Sequence, residues 1–263
     1  GTAQRYSQRV VVSEAARRGW DIVTADVEKA FLQGVTYEEL AALTGEKPRE
    51  VNFYLPPMSV PLLRRVPGFE GFDPHTEVCH CDKPGTGLVD APRAFSMKLA
   101  QVTTKSCGMF PCSVDAELCL KHDKGDLVGM LAKHVDDLKI IGSKEFIEMV
   151  KRELEKVFGP LKLIWHSFTN CGVRHIQDPT TKEIILDQIE YIAALKPIVH
   201  PALVKAPADE LVPDEVQDLY RSLLGAVAFA ALTRVDAAVF IVALQRVSGK
   251  AQTIHVRRLN TLT

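Results

Sequence analysis

The sequence has no apolar run long enough to cross a membrane. Its most apolar charge-free stretch, Ser222 to Thr233 (SLLGAVAFAALT), falls far short of the roughly 18 to 20 residues that a spanning helix needs. Nor do the first residues, GTAQRYSQRVVV, carry the apolar core of a secretory leader. Net charge is missing as well. With 32 Lys and Arg against 33 Asp and Glu, no whole-molecule field draws in a polyanion, so nucleic-acid binding would have to come from local basic clusters. The six cysteines lack the C-x2-C pairing of structural zinc: Cys79 and Cys81 form C-x-C, and Cys107 and Cys112 form C-x4-C. Alternate strand positions and scattered buried thiols are the simpler reading, with zinc the lesser alternative. Without a leader, reduced thiols in an intracellular protein, cytoplasmic or nuclear, are expected. These absences set aside a disulfide scaffold, a membrane protein and a purely basic nucleic-acid binder.

What remains is an ordinary globular composition, 263 residues with 46% hydrophobic and 25% charged, enough for one large domain or two small ones. VVVSEAARR, residues 10 to 18, is helical in character and Gly19 is placed to stop it. Trp20 to Val27 alternates and is rich in β-formers, so it reads as a strand ending near Asp26. Glu28 to Leu32 turns away from it. Between Gly34 and Gly85 the texture is connecting, with a short helical piece and one or two short strands. PRAFSMKLAQVTTK, from Pro92 to Lys105, has helical spacing and Pro92 suits its first turn. LVGMLAK and LKIIG then flank HVDD, which reads as a β-hairpin. Lys144 to Phe158 is the clearest amphipathic helix, with Phe146, Met149, Val150, Leu154, Val157 and Phe158 on one stripe. A strand pair is expected around Leu163 to Ile176 and Ile184 to Leu186, then helical spacing over Ile189 to Leu195. Leu203 to Asp218 reads as a linker, and Tyr220 to Ser248 as an apolar helical segment broken at Thr233-Arg234.

Asp136 and Asp137 lie between apolar strands, and Asp26 ends another. Two adjacent carboxylates beside a third on a neighbouring strand make an oxygen-rich site suited to a hard cation such as magnesium. Two such ions about 3.5 to 4 Å apart activate an attacking hydroxyl and stabilise a leaving phosphate oxygen. Read on spacing alone, a pair of turn formers is the favoured reading, because aspartate is common in turns.

Three blocks carry a resemblance: DVEKAFLQG around Asp26, GLVDAPRAF around Pro92, and HVDDLKIIG around the aspartate pair. In that order they resemble DVKTAFLNG, YGLKQAPRAW and YVDDMLIIG of copia-type retrotransposon reverse transcriptases. CGMFPCSVDAELCL and the later YRSLLGAVAFAALTRVDAAVF are similar to further family segments in the correct order. The resemblance implies an α+β fold: a right-hand polymerase palm with a ferredoxin-like antiparallel sheet, partial fingers, and a small helical thumb or connection region. The palm with partial fingers is expected over 1–202 and the linker and helical region over 203–263.

It also implies that Asp26 and Asp136 are the principal ligands of Mg2+, or Mn2+, with Asp137 supporting them, for adding deoxynucleoside triphosphates to a primer on an RNA or DNA template. Phe31 matches the aromatic position that excludes a ribose 2′-hydroxyl, with a core aromatic as the alternative. Gly87, Pro92 and Arg93 fall on the nucleotide-facing loop and helix start, where glycine allows close backbone approach and arginine can contact phosphate. His134 stands where the family has tyrosine, and Thr86 where it has another aromatic. Cys171-Gly172 lies where a family hairpin grips the primer end; a plain strand glycine is the alternative. The basic fingers hairpin is expected upstream of Gly1, and the chain is expected to be a portion of a larger polyprotein whose other domains are further partners. Two other readings compete: a catalytically silent relic acting as an interaction module, and a different two-metal phosphotransferase or nuclease built on the same acids.

Overall fold

The computed structural model describes all residues 1–263. They form two compact units, one of residues 1–165 with 179–182, the other of 166–178 with 183–263. The chain is α+β, and every strand pairing in it is antiparallel.

In the first unit, α1 (Arg5–Arg18) starts five residues earlier than its periodicity suggests and stops at Gly19, whose φ of 65° is the left-handed conformation a β-carbon disfavours. Trp20 N–H donates back to the Ala15 carbonyl at 2.9 Å, closing the helix as a Schellman cap and turning the chain into β1 (Asp21–Asp26). A 3-10 turn at Ala30–Leu32 follows, then α2 (Tyr37–Thr44), which opens with a Thr36/Glu39 capping box. The two-residue strands β2 (Asn52–Phe53) and β3 (Cys79–His80) pair with each other, with the short α3 (Val60–Leu63) between them. α4 (Ala91–Gln101) carries Pro92 in its first turn and runs on into a π-type turn over Val102–Ser106. β4 (Phe110–Cys112), β5 (Asp115–Asp123), β6 (Asp126–His134) and β7 (Asp137–Gly142) follow, then α5 (Lys144–Phe158) and β8 (Lys162–Trp165).

Six of these strands form one sheet in the order β4-β5-β6-β7-β1-β8. Alternation gives it two faces. Val23, Ala25, Leu131, Leu138 and Ile140 point to one, where Phe95 and Leu99 of α4 and Phe146, Ile147, Val150 and Leu154 of α5 complete the main core. Each fully buried aliphatic or aromatic side chain there contributes about 1.5 to 3 kcal/mol. The other face takes Ile22, Thr24 and Asp26 of β1 with Asp137, Lys139 and Ile141 of β7. α1 packs against β1, β6 and β7, burying Val11, Val12 and Ala15.

In the second unit, β9 (Ser167–Asn170), β10 (Val173–Gln177) and β11 (Ile184–Asp187) make a separate sheet. The apolar run from Leu163 to Ile176, expected as one strand, is therefore three segments, broken by left-handed residues at His166 and at Cys171-Gly172. α6 (Ile189–Ala193), α7 (Asp214–Ala230), α8 (Ala238–Gln245) and α9 (Thr253–Asn260) follow, around a core of Tyr220, Leu224, Val227, Ile241, Val256 and Leu259. The break expected at Thr233-Arg234 lies between α7 and α8, and the expected linker ends where α7 begins, at Asp214. Residues 166–178 and 183–202 cluster with these helices, so the units divide earlier than the proline-rich stretch after 203 suggests. No helix is long and apolar enough to cross a membrane, and no disulfide joins the six cysteines.

Candidate functional site

Asp26 is the last residue of β1, and in the β1–β7 register it lies directly opposite Asp137. Opposed residues of an antiparallel pair project to the same face with β-carbons about 5 Å apart, so the two carboxylates are neighbours by construction. Asp136 occupies the two-residue turn between β6 and β7, where His134 pairs with Asp137. Its carbonyl accepts the Val27 N–H at 3.3 Å, which ties the turn to the exit of β1.

The turn itself is strained. Val135, its first central residue, has a φ of 58°, and a β-branched side chain there is a genuine outlier. A positive φ at the first central position only is the pattern of a II′ hairpin turn, which ordinarily takes glycine at that place. Holding valine there costs on the order of 1 to 3 kcal/mol, and such strain clusters at functional sites.

Electrostatics mark the same point. The Asp26 carboxyl is pushed above the usual carboxylate range, first by partial burial against the sheet, then by repulsion from Asp136, Asp137 and Glu28. All four causes act in one direction, although Asp26 is open to solvent. A patch of mutually repelling oxygens is what a divalent cation relieves. No three His, Cys, Asp or Glu side chains are gathered into a closed cage, so the donor set does not suit a metal held by protein alone. It does suit magnesium, which keeps several waters and is commonly held by one or two carboxylates together with substrate phosphates.

Sequence reasoning missed Thr24. Its Oγ1 lies 3.2 Å from Asp137 Oδ1 and 3.1 Å from the Leu138 carbonyl, so one hydroxyl proton divides between two acceptors and orients the Asp137 carboxylate. Stepping back two residues from Asp26 along an alternating strand would have found it.

The remaining site residues are dispersed. His134 ends β6, with a buried Nδ1 that has no hydrogen-bond partner. Phe31 is half-buried and packs against the main core, which favours the core reading while leaving part of its ring open. Gly87 has a φ of 92° with open space where a β-carbon would sit, so backbone conformation rather than crowding calls for glycine. Arg93 is exposed and forked onto Glu46, with contacts of 3.1 and 3.2 Å. It sits with Pro92 in the first turn of α4, a helix covering the sheet face opposite the Asp26 and Asp137 side chains. Thr86 is exposed on the preceding loop. Cys171 and Gly172, with φ of 52° and 71°, are the central pair of a I′ turn joining β9 to β10 in the second unit. There a β-carbon on Gly172 would come within 2.6 Å of the Phe229 ring.

No protein-family profile matches the chain. It is 25% identical over 192 residues to the retrovirus-related Pol polyprotein from transposon TNT 1-94 of Nicotiana tabacum, a match covering 71% of this chain and 12% of that protein. It is 26% identical over 244 residues to the retrovirus-related Pol polyprotein from transposon RE2 of Arabidopsis thaliana, covering 88% of this chain and 15% of that protein. The chain thus spans 12 to 15% of the curated relatives it matches. It is similar at a distance to these plant transposon Pol polyproteins, a likeness that supports an origin in a retrotransposon polyprotein.

Proposed function

We propose that this chain is the reverse transcriptase portion of a copia-type retrotransposon polyprotein, its first unit a polymerase palm and its helical second unit a thumb or connection region. The observation that carries the reading is the register of Asp26 against Asp137, with Asp136 in the strained turn beside them. This arrangement presents carboxylates to an incoming phosphate at one end of a rigid sheet, where positioning is more exact than on a loop. Asp26, Asp136 and Asp137 would hold magnesium or manganese, which when bound would supply charge neutralisation at the α-phosphate and a lowered pKa for the primer 3′-hydroxyl.

The chain's own residues do the positioning. Thr24 fixes Asp137 and the Val27 to Asp136 hydrogen bond fixes the turn, while His134 at the end of β6 meets the primer terminus in this reading. Phe31 limits the room beside the sugar, and Arg93 exchanges Glu46 for a triphosphate oxygen when nucleotide enters. Cys171-Gly172 contacts the primer strand. Partners are an RNA or DNA template with its primer, deoxynucleoside triphosphates, and the other domains of the polyprotein.

Primer extension on an RNA template with Mg2+ or Mn2+, comparing the chain with Asp136→Asn, tests this. Template-dependent extension abolished by the substitution is expected. No extension by the unsubstituted chain, or extension that survives in the variant, would remove the polymerase claim and leave the relic reading. Cleavage of the strands in place of extension would point to a nuclease.

A further inference from the structure

α1 carries two pairs of arginines with different fates. At its C-terminal end Arg17 and Arg18 both bind Glu14, at 2.7 Å each, and hold that carboxyl down to about 2. At its N-terminal end Arg5 and Arg9, one helical turn apart on an exposed face, make no ion pair or side-chain hydrogen bond. Tyr6 beside them is 83% exposed and Val10 47%. No acidic residue stands in the first turn, so Arg5 meets no countercharge at the positive end of the helix dipole, where a cation weakens the helix. Nothing in the fold gains from either arginine there.

Their location is fixed relative to the carboxylates. Thr2 forms a β-bridge with His134, Ala3 N–H donates to the Lys133 carbonyl at 2.7 Å, and Val135 N–H donates to the Gly1 carbonyl at 2.9 Å. Residues 1–3 are thereby an extra rung on the strand end that carries the Asp136 turn. Gln4 N–H (2.8 Å) and the Ser7 hydroxyl then pin the helix start to Asp115. At the far end Arg18 Nη1 donates to the Leu127 carbonyl, so α1 runs back along β6 away from the turn. The half of the helix with free arginines is the half beside the acids.

We propose that Arg5, Tyr6 and Arg9 form a docking surface for a nucleic-acid strand entering the carboxylate site, a proposal that rests on the polymerase reading for its partner. Charge complementarity selects the occupant. In a chain of net charge -1, two unpaired guanidiniums flank one exposed phenol, matching a phosphate backbone with bases to stack. The strand is held here while its 3′ end or template base lies at the acids.

The test is fluorescence anisotropy of the full chain with a labelled primer on an RNA template, titrated across salt. The variants are Arg5→Gln/Arg9→Gln, Tyr6→Ala and, as control on the opposite sheet face, Arg152→Gln. Each lost phosphate contact lowers the slope of log K against log salt by about 0.9 on duplex. The double variant should therefore lose about 1.8 in slope, roughly 60-fold in affinity at 0.1 M salt. Its melting temperature should hold or rise, since it removes a cation from the wrong end of a helix. Tyr6→Ala should weaken a single-stranded template about fivefold or more, and Arg152→Gln should change neither quantity.

Unchanged slope and affinity in the double variant would overturn the surface even if the protein extends primers. Loss of binding in that variant, with no extension by the unsubstituted chain, would overturn the polymerase reading and leave the surface standing. Polyglutamate bound as tightly as nucleic acid, with no dependence on Tyr6, would overturn it in favour of an acidic protein partner.

Discussion

In metal-free buffer at pH 7.5, replacing Asp26 with asparagine should raise the melting temperature of the first unit, the reverse of what most substitutions at an ordered strand end do. The magnitude follows from the register. Asp26 and Asp137 are directly opposed, and with carboxylates about 6 Å apart at a solvent-open strand end the repulsion is about 0.7 kcal/mol at a dielectric near that of water. Asp136 adds a similar or smaller amount, and salt reduces both. Together about 1 kcal/mol is released, a rise of roughly 2 to 4 °C.

The pH dependence has a definite sign. The folded-state pKa of Asp26 is raised, so the folded protein binds this proton more tightly than the unfolded chain. Metal-free stability therefore falls as pH climbs from the unfolded value through the raised folded one, and the advantage of Asp26→Asn disappears below about pH 4. Magnesium at ten times its dissociation constant should return about 1.4 kcal/mol to the unsubstituted chain and much less to the variant. Tryptophan fluorescence is the assay, because both tryptophans, Trp20 and Trp165, lie in the first unit. An Asp26→Asn variant that melts lower than the parent in EDTA, or a parent whose melting ignores pH between 4 and 8, would refute the account of the site as a strained anionic cluster.

Val135→Gly removes a valine from φ 58° and should leave stability unchanged or raise it by up to about 1 kcal/mol in urea melts, while kcat falls because the Asp136 turn loses its stiffness; a clear loss of stability would show the turn to be unstrained. Thr24→Val keeps the shape but withdraws the hydroxyl from Asp137; kcat should drop several-fold with KM for nucleotide little altered, and unchanged kinetics would deny Thr24 a positioning role. Gly172→Ala forces a β-carbon into the left-handed region and against the Phe229 ring, so the second unit should lose at least about 1 kcal/mol, read by limited proteolysis of the full chain in urea with cleavage mapped to residues 166–178 and 183–263. Leu154→Ala in the main core should cost about 2 to 5 kcal/mol in the tryptophan-monitored melt.

Much of the local structure was legible because it is written at short range. The 3.6-residue period of Lys144–Phe158 gave α5 to the residue, and the apolar strands either side of HVDD gave the β6–β7 hairpin. Gly19 marked the end of α1, though the start at Arg5 was hidden, since Arg-Tyr-Ser-Gln has no apolar stripe and is held by Asp115 more than a hundred residues away. The alternation over Leu163 to Ile176 ran straight through the Cys171-Gly172 turn, which only the family resemblance put on a hairpin, because cysteine is not a residue that announces a left-handed conformation.

The sequence by itself determined the order of the carboxylate blocks, the strand end at Asp26 and the turn at Asp136, all consequences of local alternation and neighbouring residue types. Only the tertiary structure decided that β1 inserts between β7 and β8, that Asp26 meets Asp137 rather than lying one residue out of register, and that α1 brings unpaired arginines beside them. Those pairings join segments more than a hundred residues apart, and a one-residue slip would send every side chain of a strand to the other face. What forbids the slip is the burial of Val23 and Ala25 against α4 and α5, a packing energy that no single segment contains.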